Sequence, residues 1–254
     1  MIRRLATLLL GAVVILAVGV LGGFIHTDTV DVAKRSFDSL ITAEQSAPPP
    51  ATAAGSPDRA HGDIAALLQH VRVVDTVTEV DGYERSCRKN KACVFGKAWT
   101  DDSAAPLSHN GCDTRNDVLR QQLTQVITDP QSRGCKVLSG VLDPDPYTGE
   151  VIDFRKGSTS GDVEIDHVFP LEQSWHSGAS VWPLAKRVQF ANDPANLLAV
   201  DGGRNSAKGS KPISEWLPSN SAYVCSYIAR YLEVAQAYEL PITAADKATA
   251  EHTC

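Results

Sequence analysis

Apolar and polar positions alternate in three different ways along this chain. From Leu5 to Ile25 an almost unbroken apolar run of 21 residues follows Arg3 and Arg4, enough for a helix of about 20 residues to cross a bilayer. Residues 1–27 are therefore expected to be a transmembrane anchor with its N-terminus inside, or a secretory signal; in both cases the rest is exported. Residues 28–62 read as a short helix and an Ala/Pro-rich linker. From Asp63 onward the pattern is that of a folded domain, 63–254. Ile64, Leu67, Leu68 and Val71 recur at helical spacing behind Asp63. A second helix is predicted from Asn116 to Ile127, capped by Asp113 or Thr114 and stopped by Asp129-Pro130.

Period-two alternation then takes over. Lys136 to Leu142 and Val151 to Phe154 predict two strands joined by the turn Asp145-Pro146-Tyr147-Thr148-Gly149. Val163 to Val168 predicts a strand that stops at Pro170. Leu197 to Val200 predicts another, and Gly202-Gly203 leads into a polar segment able to start a helix. The order is strand, long insertion, strand, helix, and a last helix is expected over Ala222 to Tyr238.

With 43% hydrophobic and 21% charged residues the chain has an ordinary globular composition. Its net charge of -6 argues against a protein that coats nucleic acid, because phosphates are bound mainly by Lys and Arg. The acidity is unevenly placed, however: Arg155 to Lys211 holds seven basic and six acidic residues. A transient polyanionic substrate needs only a local positive groove. The six cysteines, Cys87, Cys93, Cys112, Cys135, Cys225 and Cys254, are an even set in an exported chain, which favours disulfides. Nearest-neighbour pairing is expected among the possible connectivities. Zinc is the rival reading, but no C-x-x-C pair is present.

The chemistry concentrates in Glu164-Ile165-Asp166-His167-Val168-Phe169-Pro170, Asp193-Pro194-Ala195-Asn196-Leu197 and Arg204-Asn205-Ser206-Ala207-Lys208. Strand alternation sends Asp166 and His167 to opposite faces, so a site using both needs the strand to end there. A carboxylate and an amide oxygen are hard donors suited to Mg2+, with Mn2+ as the alternative. A neutral imidazole with a pKa near 6.5 can take a proton from water if its other nitrogen is held, by Asn196 or by a backbone carbonyl.

These stretches resemble the HNH endonucleases of the ββα-metal fold, and within them exported bacterial proteins related to the C-terminal domain of GmrSD restriction enzymes (DUF1524-like). The resemblance runs through "EIDHVFPLEQSW", "FANDPANLLAVDGGRNSAKG" and "WLP", with weaker likeness in "CDTRNDVL" and "DPYTGEVIDF". It implies an α+β fold with a ββα-metal core at about 163–214 in a mainly helical, disulfide-stapled domain. By resemblance, Asp166 and Asn205 hold a divalent metal, His167 activates water and Asn196 orients His167. Lys208 is expected to face a phosphate oxygen, and Arg204 and Arg155 to bind substrate. The expected partner is nucleic acid, DNA or RNA, with the membrane reached through the N-terminal segment and no partner protein evident. Two other readings stay open: a non-catalytic envelope binding module on the same fold, and a hydrolase of another exported polymer.

Overall fold

The structure, a computed structural model, describes residues 64–157 and 159–254. The anchor or signal at Leu5 to Ile25, the helix after it and the linker lie outside the described residues. Among the described residues no helix is long and apolar enough to cross a membrane. The architecture is mixed α/β and carries three disulfides, Cys87–Cys93, Cys112–Cys135 and Cys225–Cys254.

Residues 64–68 are helical, and the chain then enters a two-residue strand, β1 (Val73–Val74). Helix α1 (Thr114–Gln122) starts where Asp113 accepts a hydrogen bond from the Asn116 amide. It stops five residues short of the predicted end, because Thr124, Val126, Ile127 and Thr128 are β-branched and form strand β2 (Thr124–Thr128) instead. Such side chains lose rotamer freedom in a helix and pack well on a pleated surface. β2 pairs antiparallel with β3 (Val137–Leu142), which forms the expected hairpin with β4 (Ile152–Arg155).

A separate two-stranded ribbon carries the site. β5 (Val163–His167) pairs antiparallel with β6 (Leu197–Asp201), in the register His167 to Leu197 and Asp166 to Leu198. β6 runs directly into α4 (Gly202–Lys208), after the insertion that holds α2 (Leu171–His176) and α3 (Leu184–Asn192). The glycine at the start of α4 answers to space: a Cβ on Gly202 would lie 1.9 Å from the Gly161 carbonyl oxygen. Asp145, fully buried in the turn before β4, ties this junction to the hairpin by accepting from the amides of Thr148 and Asp201 at 2.7 and 2.8 Å.

The ribbon divides two apolar cores. Val163, Ile165, Leu197 and Ala199 pack on α1 and the three-stranded sheet, whereas Leu198 and Val200 face the larger core. That larger core is built on α5 (Val224–Ala237), whose Tyr227, Ile228, Tyr231, Leu232 and Val234 are all buried. Each such side chain stabilises by roughly 1.5–3 kcal/mol on burial. Phe169 stacks on Tyr231 with ring centroids 4.6 Å apart, so the chain just beyond His167 is pinned to α5. A final strand, β7 (Ile242–Thr243), lies parallel to β1 and is followed by α6 (Ala244–Thr253), which the sequence pattern did not announce. Its capping box, Thr243 with Asp246, is the signal that was there to read.

Candidate active site

His167 ends β5 on the face shared with Ile165 and Leu197, and Asp166 lies on the other face with Leu198. The ribbon is only two strands wide, so both side chains reach one cleft at its end. That cleft is lined by Tyr83, Arg85, Asp166, His167, Glu172 and Asn205, among others.

The imidazole is held at one nitrogen. His167 Nε2 lies 2.9 Å from the carbonyl oxygen of Ala191, at the end of α3. A carbonyl only accepts, so Nε2 carries the proton and Nδ1 keeps the lone pair. Nδ1 has no hydrogen-bond partner among the described residues, and it is not among the buried atoms that lack one. His167 itself lines the cleft. Trp99 stacks on the ring at 5.6 Å with planes 14° apart, fixing its tilt. Burial, and then the positive charge of Arg85, push the imidazole pKa down to about 4, which leaves the ring unprotonated at neutral pH.

Asp166 is 5% exposed and has two companions. The Tyr147 hydroxyl donates to Oδ2, and the Lys208 ammonium lies 2.9 Å from both carboxylate oxygens. Lys208 also donates to the His167 carbonyl at 2.8 Å. Lys208 thus does not stand at a phosphate: it is fully buried, turned inward by the last turn of α4. Burial lowers its pKa and the Asp166 charge holds it up. Asn205 donates through Nδ2 to Glu164 Oε2 at 2.7 Å, which leaves its Oδ1 as the uncommitted amide atom.

Asn196 does not touch the His167 ring. Its Oδ1 accepts from the Phe169 amide at 2.7 Å and its Nδ2 donates to the Phe169 carbonyl at 3.1 Å. It clamps the chain two residues after His167, and the ring is held by the Ala191 carbonyl instead. Arg204 is exposed on the first turn of α4, and Arg155 ends β4 in a concavity with Ser139 and Gln125; neither lines the cleft. Tyr147 and Arg85 carry no spacing signal that ties them to the site, and Trp99 reads in the sequence only as a core or rim residue. Tyr147 sat in a turn motif already singled out, but a backbone carbonyl such as that of Ala191 leaves no mark in a sequence.

A divalent metal can be weighed against these donors. The carboxylate residues Asp166 and Glu172 and the amide residue Asn205 line a single cleft, which suits a hard cation that keeps several waters. No group of three or more His, Cys, Asp or Glu is clustered for metal binding among the described residues. The set fits Mg2+ in kind, with Lys208 sharing Asp166.

The family model for the C-terminal domain of GmrSD restriction endonucleases matches residues 113–249, a span holding Tyr147, both strands of the ribbon and α4. The chain belongs to this family. It is also similar to an uncharacterized secreted protein of Arthroderma benhamiae, 38% identical over 138 residues, which are 54% of this chain and 63% of that protein. The chain thus spans less than two thirds of that relative's length. No solved structure matches.

Proposed function

We propose that this protein is an exported, metal-dependent endonuclease of the HNH type, with β5, β6 and α4 as its ββα-metal core. One observation carries the reading: His167 is held through Nε2 by the Ala191 carbonyl, which leaves Nδ1 with the lone pair, and the residue lines the same cleft as Asp166 and Asn205. A base with a fixed tautomer and a depressed pKa suits proton removal from water at neutral pH. Membership in a restriction-endonuclease family supports phosphodiesters as substrate. Export is supported by the secreted relative and by the three disulfides.

In this reading His167 Nδ1 takes a proton from the attacking water while Nε2–H stays bonded to Ala191. Asp166 and Asn205 would hold the metal, which polarises the scissile phosphate and stabilises the leaving 3′ oxygen. Asn196 keeps His167 in place by clamping the Phe169 backbone, and Trp99 keeps the ring from turning. Lys208 sets the position of Asp166 rather than touching substrate.

The test is nicking of plasmid DNA by the purified chain with and without Mg2+, alongside His167→Ala. Mg2+-dependent nicking that falls by about 10² to 10⁴ in His167→Ala is expected, the size typical of a general base. Nicking that survives in folded His167→Ala, or in EDTA, would remove the proposed mechanism.

A further inference from the structure

Beside the cleft lies a second concavity of about 640 Å³ that shares His167, Arg85 and Leu171 with it. Its wall is the loop closed by Cys87–Cys93. In a chain of net charge -6, residues 85–97 carry five basic side chains and no acidic one. Three of these, Arg85, Arg88 and Lys97, line the concavity, and all three are exposed. No carboxylate lines it, and among the described residues none pairs with these three. Glu84, next to Arg85 in the sequence, is already taken by Lys91 at 2.8 Å.

The loop is held firmly. The Cys93 and Val94 amides donate to the Ser86 and Glu84 carbonyls, and Arg187 on α3 donates to the Val94 carbonyl. Gly96 sits so close to α3 that a Cβ would lie 2.6 Å from Val188 Cγ2. Beneath the cationic rim the floor is apolar, made by Phe95, Trp99 and Leu171. A rim of cations over an apolar floor suits a polymer that presents phosphates and bare base faces together. A single strand does so, whereas a duplex hides its base faces in the stack.

We propose that this concavity holds a single polynucleotide strand, with its phosphates on Arg85, Arg88 and Lys97 and a base against the apolar floor. Resting on the nuclease reading of the adjoining cleft, the strand delivers its next phosphate to His167. Arg85, Arg88, Lys97, Phe95 and Trp99 precede the segment matched by the family, whereas Leu171 of the floor lies within it, so the cationic part of this grip belongs to the chain's upstream part.

The probe is a fluorescein-labelled oligothymidylate of about 12 nucleotides, within the range that single-strand sites cover. Its binding is measured by anisotropy in EDTA, with the full-length chain carrying His167→Ala so that the probe is not consumed. A duplex hairpin of equal length serves as competitor. The strand should bind at least about tenfold more tightly than the duplex. Adding Arg88→Ala and Lys97→Ala should raise Kd and flatten the slope of log K against log salt by about 1.4, since each single-strand phosphate contact contributes about 0.7. Lys247→Ala, on α6, should change neither.

Equal or tighter duplex binding, no measurable binding, or a salt slope unmoved by the double substitution would each overturn the proposal. Mg2+-dependent cleavage by the unsubstituted chain, run in parallel, separates this site from the nuclease reading. Cleavage with an unmoved salt slope sinks the strand site alone. Charge-dependent strand binding without cleavage upholds the strand site and sinks the nuclease reading.

Discussion

Replacing Lys208 by Met would remove an ammonium from a site with no exposure and leave the Asp166 carboxylate, 6% exposed, without its cation. The attraction at 2.9 Å is about 6 kcal/mol at an effective dielectric of 20, an upper figure before desolvation of both groups is counted. What the substitution measures is the cost of a stranded buried charge, about 3–5 kcal/mol. In a folded body of this size each kcal/mol moves Tm by about 2–4 °C, so a fall of roughly 10 °C is expected. Urea unfolding at pH 7 in EDTA gives the free energy directly. Asp166→Asn in the Lys208→Met background should recover much of the loss, because it removes the stranded charge, and the double-mutant cycle then reports the coupling. If Lys208→Met unfolded like the unsubstituted chain while only KM for DNA rose, Lys208 would be a phosphate contact and the inward geometry would be wrong.

The pH dependence follows from His167. Its pKa falls from 6.5 unfolded to about 4 folded, so the unfolded state binds the extra proton between these values. Its stability contribution, up to about 3 kcal/mol, is complete above pH 6.5 and is lost as the pH falls through 4. The acid limb of kcat/KM should accordingly break well below pH 6.5; a break at 6.5 would show an imidazole of ordinary basicity. Asn196→Ala should cost about 1–3 kcal/mol by leaving the Phe169 amide and carbonyl unpaired in the core. Because it loosens the base rather than the substrate, kcat should fall more than KM. Gly202→Ala should destabilise by about 1–3 kcal/mol or more, since the Gly161 backbone must move to admit the methyl group. Chemical denaturation checks it, and an unchanged midpoint would mean that the β6–α4 junction is slack.

Much of this fold was legible because its elements obey one period at a time. The β3–β4 hairpin, the β5–β6 ribbon and α5 each show clean spacing in the sequence. The second helix was drawn too long because Val126 falls at helical distance from Val118 and Leu119, while the β-branched content of 124–128 and pairing with β3 decide otherwise. The site divides in the same way. Asp166, His167 and Asn205 announce themselves as a spaced set, and the cleft brings them together. Lys208 was misplaced because sequence spacing gives a helical position without the direction its side chain takes, and here Asp166 and the His167 carbonyl draw it inward. Net charge also misled: the acidic total conceals the basic run at 85–97, which only a local count reveals.

The two walls around His167 come from different stretches of chain. Asp166, His167 and Asn205 lie within the span shared with the family, whereas Arg85, Arg88, Lys97 and Trp99 lie upstream of it, in a loop with its own disulfide. The upstream loop also reaches the imidazole, through the Trp99 stacking and the Arg85 charge. A chain that kept the ribbon and α4 but carried another closed loop at 83–99 would keep the Ala191 carbonyl that sets the His167 tautomer and the placement of Asp166 and Asn205, but would lose the ring stacking and the cation that tune the imidazole. An exchange of that loop would therefore change the charge and shape of the neighbouring concavity and the setting of the imidazole together.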